Sequence, residues 1–272
     1  MKPVVLITGA SSGIGKAAAK RFAREGFTVY AAARSMDKLK ALATDDIHPV
    51  ALDVTDDQSM QACVNEVLDQ EGHIDVLVNN AGYGSHGAVE DVPMAEARRQ
   101  FEVNVFGLAR MTQLVLPAMR KAGHGRIINI SSMAGRIWTP FAAWYHATKF
   151  AVEGLSASLR LELKPFNIDV VLIEPGGIKT PWGEIAAQHL REASKDGAYQ
   201  TAAMQAAQQL EKRYKNSGLM TKPEVIANRI VKAATVRRPR TRYLLGFGAK
   251  PMVYIQKLFG DRVYDAIVRS VM

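Results

Sequence analysis

Four consecutive apolar residues, Val4-Val5-Leu6-Ile7, run straight into Thr8-Gly9-Ala10-Ser11-Ser12-Gly13-Ile14-Gly15, which opens a stretch where Ile14, Ala17, Ala18 and Phe22 recur three and four apart. An apolar run without polar alternation is a strand buried on both faces, as parallel sheets require. The three- and four-residue spacing gives the following helix one apolar face with which to cover that sheet. Glycines in the connecting turn permit φ > 0 and let backbone N–H groups approach an anion without a Cβ in the way. The helix N-terminus adds unsatisfied donors and a favourable dipole. Gly9, Ser11, Ser12, Gly13, Ile14 and Gly15 are therefore candidate phosphate contacts. The spacing Gly-x-x-x-Gly-x-Gly is not Gly-x-Gly-x-x-Gly, and no P-loop Lys-Ser/Thr pair is present, so the turn reads as a dinucleotide site and not a triphosphate site.

The same alternation continues. Strands are expected at Thr28–Ala32, His48–Asp53, Val76–Asn79, Arg126–Ser131 and Asp169–Glu174, and helices at Ile14–Arg24, Gln58–Gln70, Glu96–Lys121 and Ala143–Lys164. Thr55 and Asp56 are candidate N-caps for the helix near Gln58. Repeated βα units imply an α/β fold with a doubly wound parallel sheet. After Pro181 the rhythm changes: Glu184–Lys215 reads as helical with a break near Gly197 and a stop at Gly218, and Pro223–Val236 as another helix. A strand at Arg242–Leu245 and helical pieces at Met252–Phe259 and Arg262–Val271 complete the chain. No linker or internal repeat interrupts residues 1–272, so one domain is expected, with a cofactor core to about residue 182 and a helical lid and C-terminal region beyond.

Composition excludes several classes. At 272 residues, 48% hydrophobic and 22% charged, the chain is ordinary globular material. The single Cys63 rules out an internal disulfide. No apolar run approaches a membrane span, and the start lacks a secretory pattern, so a cytoplasmic location is expected. A net charge of +9 favours anionic partners. Nucleic acid is not expected among them, because no helix-turn-helix, zinc or aromatic-platform signal is present.

The second strand ends Ala31-Ala32-Ala33-Arg34. A carboxylate there would hold a ribose 2′-hydroxyl, whereas a guanidinium suits a 2′-phosphate, so Arg34 points to NADP(H) over NAD(H). Tyr145 and Lys149, four apart, share one face of a helix. A nearby ammonium stabilises phenolate and brings a tyrosine toward usable general acid/base chemistry. Ser132 stands at the carboxyl end of the fifth strand, the edge where open α/β sheets collect ligands.

The glycine-rich turn, Asn79-Asn80-Ala81-Gly82, Ser132, Tyr145-x-x-x-Lys149 and Pro175-Gly176, in that order, resemble the short-chain dehydrogenase/reductase family over roughly residues 3–182. The resemblance implies a Rossmann-type sheet of about seven strands and hydride transfer between a nicotinamide and an alcohol or carbonyl. It implies a catalytic set of Asn104, Ser132, Tyr145 and Lys149, with Lys149 also on the nicotinamide ribose and Asn104 holding a relay water. It further implies cofactor contacts at Asp53, Val54, Asn80, Ala81, Gly82, Pro175, Gly176, Ile178 and Thr180, and a homodimer or homotetramer paired through the helices at Glu96–Lys121 and Ala143–Lys164. The stretches Lys149–Leu155, Ile173–Thr180 and Pro239–Gly246 are most similar to the retinol and 17β-hydroxysteroid dehydrogenase branch, which implies a hydrophobic alcohol or ketone. Trp138, Phe141, Trp144 and Trp182 could wall such a substrate or simply pack. The cluster Arg237, Arg238, Arg240 and Arg242 reads as a solvated turn, with an acidic membrane surface as the other reading. A non-catalytic NADP-binding redox sensor is the competing class; the intact Ser–Tyr–Lys set argues against it.

Overall fold

A computed structural model describes residues 2–215 and 218–270. Seven strands form one all-parallel sheet: β1 (Val4–Thr8), β2 (Thr28–Ala33), β3 (Ile47–Ala51), β4 (Val76–Asn79), β5 (Gly125–Ile130), β6 (Ile168–Pro175) and β7 (Arg242–Leu245), in the order β3-β2-β1-β4-β5-β6-β7. The strand period of two divides β1 between two cores. Val5 and Ile7 face α1 (Gly13–Arg24) and α9 (Pro223–Thr235), meeting Ala18, Phe22, Ile226 and Ile230. Val4 and Leu6 face the opposite layer, meeting Val64 and Val67 of α3 (Asp57–Glu71) and Met111 and Val115 of α5 (Gly107–Ala122). Burial on both faces is what the unbroken apolar run required.

Because β4 lies beside β1 while β2 lies on its other side, the sheet reverses direction at β1 and leaves a crevice at the carboxyl ends of β1 and β4. Asp56 caps α3, accepting from Gln58 N at 3.0 Å; Thr55 does not cap and instead bonds Asp53.

The helix expected across Glu96–Lys121 is present but not α-helical throughout. α4 (Met94–Phe101) passes into a π-helical turn at Glu102–Phe106 before α5. α6 (Ala143–Glu162) follows β5 and a short turn at Met133–Gly135. A short helix α2 (Met36–Lys40) follows β2, where no helix was expected. The segment expected to form a lid is a hairpin of α7 (Trp182–Ala193) and α8 (Gln200–Lys215), joined through Ala187, Leu190, Ala203 and Ala207 and broken around Gly197 as expected. The two C-terminal pieces form α10 (Ala249–Ser270), bent at Gly260, whose φ of 74° is left-handed; the expected end at Val271 lies outside the described residues. Among the described residues no helix is long and apolar enough to cross a membrane.

The basic cluster divides. Arg237, Arg238 and Arg240 are exposed on the turn before β7. Arg242 points inward instead, donating to Glu174 at 2.8 Å and pairing with Glu153. A solvated turn is thus correct for three of the four and wrong for Arg242.

Candidate active site

Thr8, buried at the end of β1, fixes the glycine-rich turn. Its Oγ1 accepts from the backbone N–H groups of Asn80 and Ala81, each at 3.0 Å. Asn80 Nδ2 donates back to the carbonyls of Thr8 and Gly9, also at 3.0 Å. Gly9 sits at φ 66°, and a Cβ there would lie 2.8 Å from Ala81 Cα, so the turn and the β4 end pack backbone to backbone. Asn80 and Ala81 thereby brace the loop from beneath, at the crevice where the sequence places them on a cofactor; Thr8 is not among the expected site residues. A threonine closing a strand just before the glycines was the available signal.

Ser12 is the N-cap of α1, yet its side chain makes no capping bond and the first turn holds no acid. The leading N–H groups of α1 are left to an anion. Thr180, whose Cγ2 would stand 3.2 Å from a Cβ on Gly13, reaches over the same turn from the far side of the cleft. Side by side, these features fit a dinucleotide pyrophosphate.

At the end of β2, Arg34 is exposed. Asp53 Oδ1 accepts from Thr55 N and Oγ1 at 2.9 and 2.7 Å. Burial pushes the Asp53 carboxyl up, but those two bonds and the charges of Arg34 and Arg99 outweigh it and hold it below its ordinary value. Arg99, on α4, is a second cation at this end that the linear sequence did not associate with Arg34. Val54 and Ile178 are buried in the two cores, so only their backbones remain for a ligand. The Gly176 N–H is committed to Leu245 O at 2.8 Å, extending the β6–β7 ladder.

The residues expected to do chemistry converge at the carboxyl ends of β4, β5 and β6. Ser132 Oγ accepts from Ala134 N at 3.1 Å and donates to Pro175 O at 3.4 Å, standing near enough to Tyr145 to favour its phenolate, and Lys149 Nζ lies 5.8 Å from the Tyr145 ring centre. Lys149 donates to Ile130 O at 2.9 Å. The direction expected for Tyr145 is not found: burial pushes its hydroxyl up to about 12, and the Ser132 hydroxyl only partly offsets that. Burial also brings Lys149 down to about 8. The physical reason is that Lys149 is buried and Tyr145 is half-buried beneath His86 and Trp182, so desolvation is the largest influence on each. Asn104, in the π-helical turn, is buried and not solvent-facing: its Oδ1 accepts from Tyr83 N at 3.0 Å, and its Nδ2 donates to Tyr83 O at 2.8 Å and Thr148 Oγ1 at 3.1 Å.

Only one of the four expected aromatics stands over Tyr145. Trp182 lies 5.3 Å from it, ring centre to ring centre. Trp138 packs under α10 against Tyr264 and donates to Asp265 at 2.8 Å. Phe141 meets Tyr199 at the α7–α8 hairpin, and Trp144 lines a shallow groove with Phe101 and Phe106 on the outer surface. Missed by sequence reasoning was His86, buried, stacked 6.0 Å from Tyr145 and edge-on to Trp182 at 5.3 Å, with Nδ1 unpartnered. Burial is the chief cause that holds its imidazole down to about 4, so it is neutral at pH 7. Tyr214 of α8 completes the enclosure, its ring against Gly183 and 6.2 Å from Trp182. Neither His86 nor Tyr214 belongs to a local pattern; each meets Trp182, at the start of the α7–α8 hairpin.

A strand-ending phosphate turn, a Ser–Tyr–Lys cluster at the sheet's carboxyl edge and this strand order together define a nicotinamide-dinucleotide oxidoreductase of the Rossmann type. The short chain dehydrogenase family model matches residues 3–191, and the chain belongs to that family. It is 36% identical to a probable short-chain type dehydrogenase/reductase of Helicobacter pylori over 99% of this chain and 97% of that one. It is 42% identical to a 3-ketodihydrosphingosine reductase of Bacteroides thetaiotaomicron over 66% of each chain. A short-chain dehydrogenase structure from Streptomyces avermitilis superposes with a TM-score of 0.80 at 32% identity, covering 93% of this chain and 91% of that one. An alcohol dehydrogenase from Thermococcus sibiricus complexed with 5-hydroxy-NADP has a TM-score of 0.75 at 25% identity, over 92% of this chain and 98% of that one. A family member from Burkholderia phymatum in complex with NAD has a TM-score of 0.77 at 25% identity, over 89% of this chain and 88% of that one.

Proposed function

We propose that the protein is an NADP(H)-dependent reductase of a ketone carried on a bulky apolar substrate, with Tyr145 as the proton donor. The observation that carries this reading is the half-buried Tyr145 ring beneath the aromatic wall of Trp182 and His86, with Ser132 beside its hydroxyl and Lys149 on its face, the hydroxyl keeping its proton across neutral pH. The α1 N-terminus and Thr180 would hold the dinucleotide, which when bound would supply the hydride. Ser132 donates to the carbonyl oxygen and orients it, and Tyr145 gives that oxygen its proton, leaving a phenolate. Lys149 provides the adjacent positive charge that stabilises the phenolate, and is also assigned to the nicotinamide ribose. Asn104 anchors the Tyr83 backbone and Thr148 next to Lys149 and, in this reading, holds the water through which the proton is replaced. The neutral imidazole of His86 offers an unpartnered nitrogen to a polar group beside the ketone. The relatives named as reductases of 3-ketodihydrosphingosine and 3-dehydrocapnine support a ketone as substrate, and the resemblance to the retinol and hydroxysteroid branch supports an apolar frame. Exposed Phe106 and Phe150, on the helical face the family uses for pairing, support a homo-oligomer.

Arg34 carries the NADP(H) preference, with Arg99 nearby. In Arg34→Ala, NADPH affinity is expected to fall about ten-fold or more, the worth of a charge-assisted hydrogen bond, while NADH affinity stays unchanged. Titration following reduced-nicotinamide fluorescence, then NADPH oxidation with a panel of apolar ketones, tests both halves of the proposal. Equal binding of the two dinucleotides by the wild type would overturn the NADP assignment. Tight NADPH binding with no turnover on any ketone, and none on alcohols with NADP, would favour the redox-sensor reading. Trp182→Ala is expected to raise KM for a bulky ketone about ten-fold with little change in NADPH affinity, because it removes the apolar wall and leaves the phosphate turn intact. Steady-state kinetics at saturating NADPH measure this.

A further inference from the structure

Four large apolar side chains of α10 are left in solvent: Tyr254, Leu258, Phe259 and Val263 expose 53%, 72%, 63% and 44% of their surface. They flank the bend at Gly260. The helix has already met its packing requirement on its other side, where Val253, Tyr264 and Val268 are buried with Ile137 and Trp138. The outward residues therefore form a second apolar stripe that the fold does not use. Exposed cations interleave with it: Lys250, Lys257, Arg262 and Arg269. The helix's two acids offset them only in part. Asp265 turns inward to accept from Trp138 Nε1 at 2.8 Å, and Asp261, exposed beside Arg262, accepts from Gln256 Nε2 at 3.2 Å. The four cations outnumber the acids and leave the helix positive.

An ordinary solvated helix face carries acids and amides together with its bases. Large apolar groups interleaved with cations are instead the composition of helices that lie in a bilayer interface. Pairing with a second copy fits poorly, since a two-fold contact would set this cationic face against itself. The chain's +9 adds a longer-range attraction to any negative surface. We infer that the outward face of α10 docks on an anionic lipid bilayer, with Leu258 and Phe259 at the bend entering the headgroup layer and the flanking lysines and arginines held by lipid phosphates.

Co-sedimentation of the full-length protein with vesicles tests this. Vesicles of phosphatidylcholine and phosphatidylglycerol in a two-to-one ratio are expected to retain the protein at least ten-fold better than phosphatidylcholine alone, and retention should weaken as salt rises. The double variant Leu258→Ser/Phe259→Ser, and separately Lys257→Gln/Arg262→Gln, should each lower retention ten-fold or more without changing Tm or NADPH affinity, since all four side chains are exposed. No retention on the mixed vesicles, equal retention on both kinds, or indifference to both double variants overturns the inference. So does a sedimentation-velocity result in which Leu258→Ser/Phe259→Ser splits an oligomer, because the face would then be a subunit contact.

Discussion

Replacing Tyr145 with phenylalanine is expected to lower kcat for ketone reduction by about 10³-fold, within the range that a positioned general acid supplies. The change removes one oxygen. The remaining ring keeps its packing against His86 and Trp182, so NADPH affinity should stay within about two-fold of wild type. That combination separates loss of the proton donor from loss of the site. A variant that still turns over at the wild-type rate would remove Tyr145 from the mechanism. The wild-type pH profile carries a second signature. With its hydroxyl up at about 12, Tyr145 keeps its proton through neutral pH, while Lys149 gives up its own near 8. Above that pH the phenolate formed in the reaction loses its neighbouring cation. The kcat/KM for reduction should therefore fall as pH rises through about 8 and hold steady between 6 and 7. Rates measured from pH 6 to 10 decide it.

Arg242→Leu is expected to cost about 3 kcal/mol of stability, seen as a Tm roughly 8 °C lower, even though Arg242 is only half-buried and touches no part of the site. Glu174 is 1% exposed and Glu153 8%, and Arg242 pairs with both. Removing the shared cation leaves Glu153 alone and Glu174 with only Arg136, at 3.4 Å. The pH dependence follows from the sign of the Glu174 shift. Burial raises its folded value above the ordinary 4.5 against the pull of Arg136, so folding takes up a proton and stability falls as pH rises through that interval. Loss of Arg242 moves the folded value higher still. The deficit should therefore be largest at neutral pH and above, and shrink as the carboxyls protonate toward pH 4. Thermal melts of both proteins across that range measure it. A deficit under about 0.5 kcal/mol at pH 7 would return Arg242 to the solvated turn.

How far the linear sequence could be read is clearest at three places. The β1 run and the turn after it were legible because their pattern is local: apolar continuity dictates burial on both faces, and glycine spacing dictates a backbone turn. Tyr145 and Lys149 were legible because four residues on a helix is one face. By contrast, the helix expected over Glu96–Lys121 hid a π-helical turn. Helical periodicity is the same on either side of it, and the turn is held by Asn104 reaching Tyr83, twenty-one residues away. The aromatics near Ser132 looked alike in sequence. Only the tertiary path of the chain sends Trp182 to Tyr145 and Trp138 beneath α10.

The sequence by itself determined the α/β class, through its repeated βα alternation, and the glycine turn and the shared helix face of Tyr145 and Lys149, through local spacing; Ser132, thirteen residues before Tyr145, joins them as an expectation from its strand end and the family resemblance. The tertiary structure decided the rest. It alone buries Lys149 beside a half-buried Tyr145, so that desolvation chiefly governs their protons, and it alone brings His86 and Trp182 from distant segments against the Tyr145 ring, with Tyr214 packed on Trp182. It also turns Arg242 inward and Leu258 outward. Burial and the direction of a side chain depend on what the rest of the chain packs against, and no local pattern carries that information.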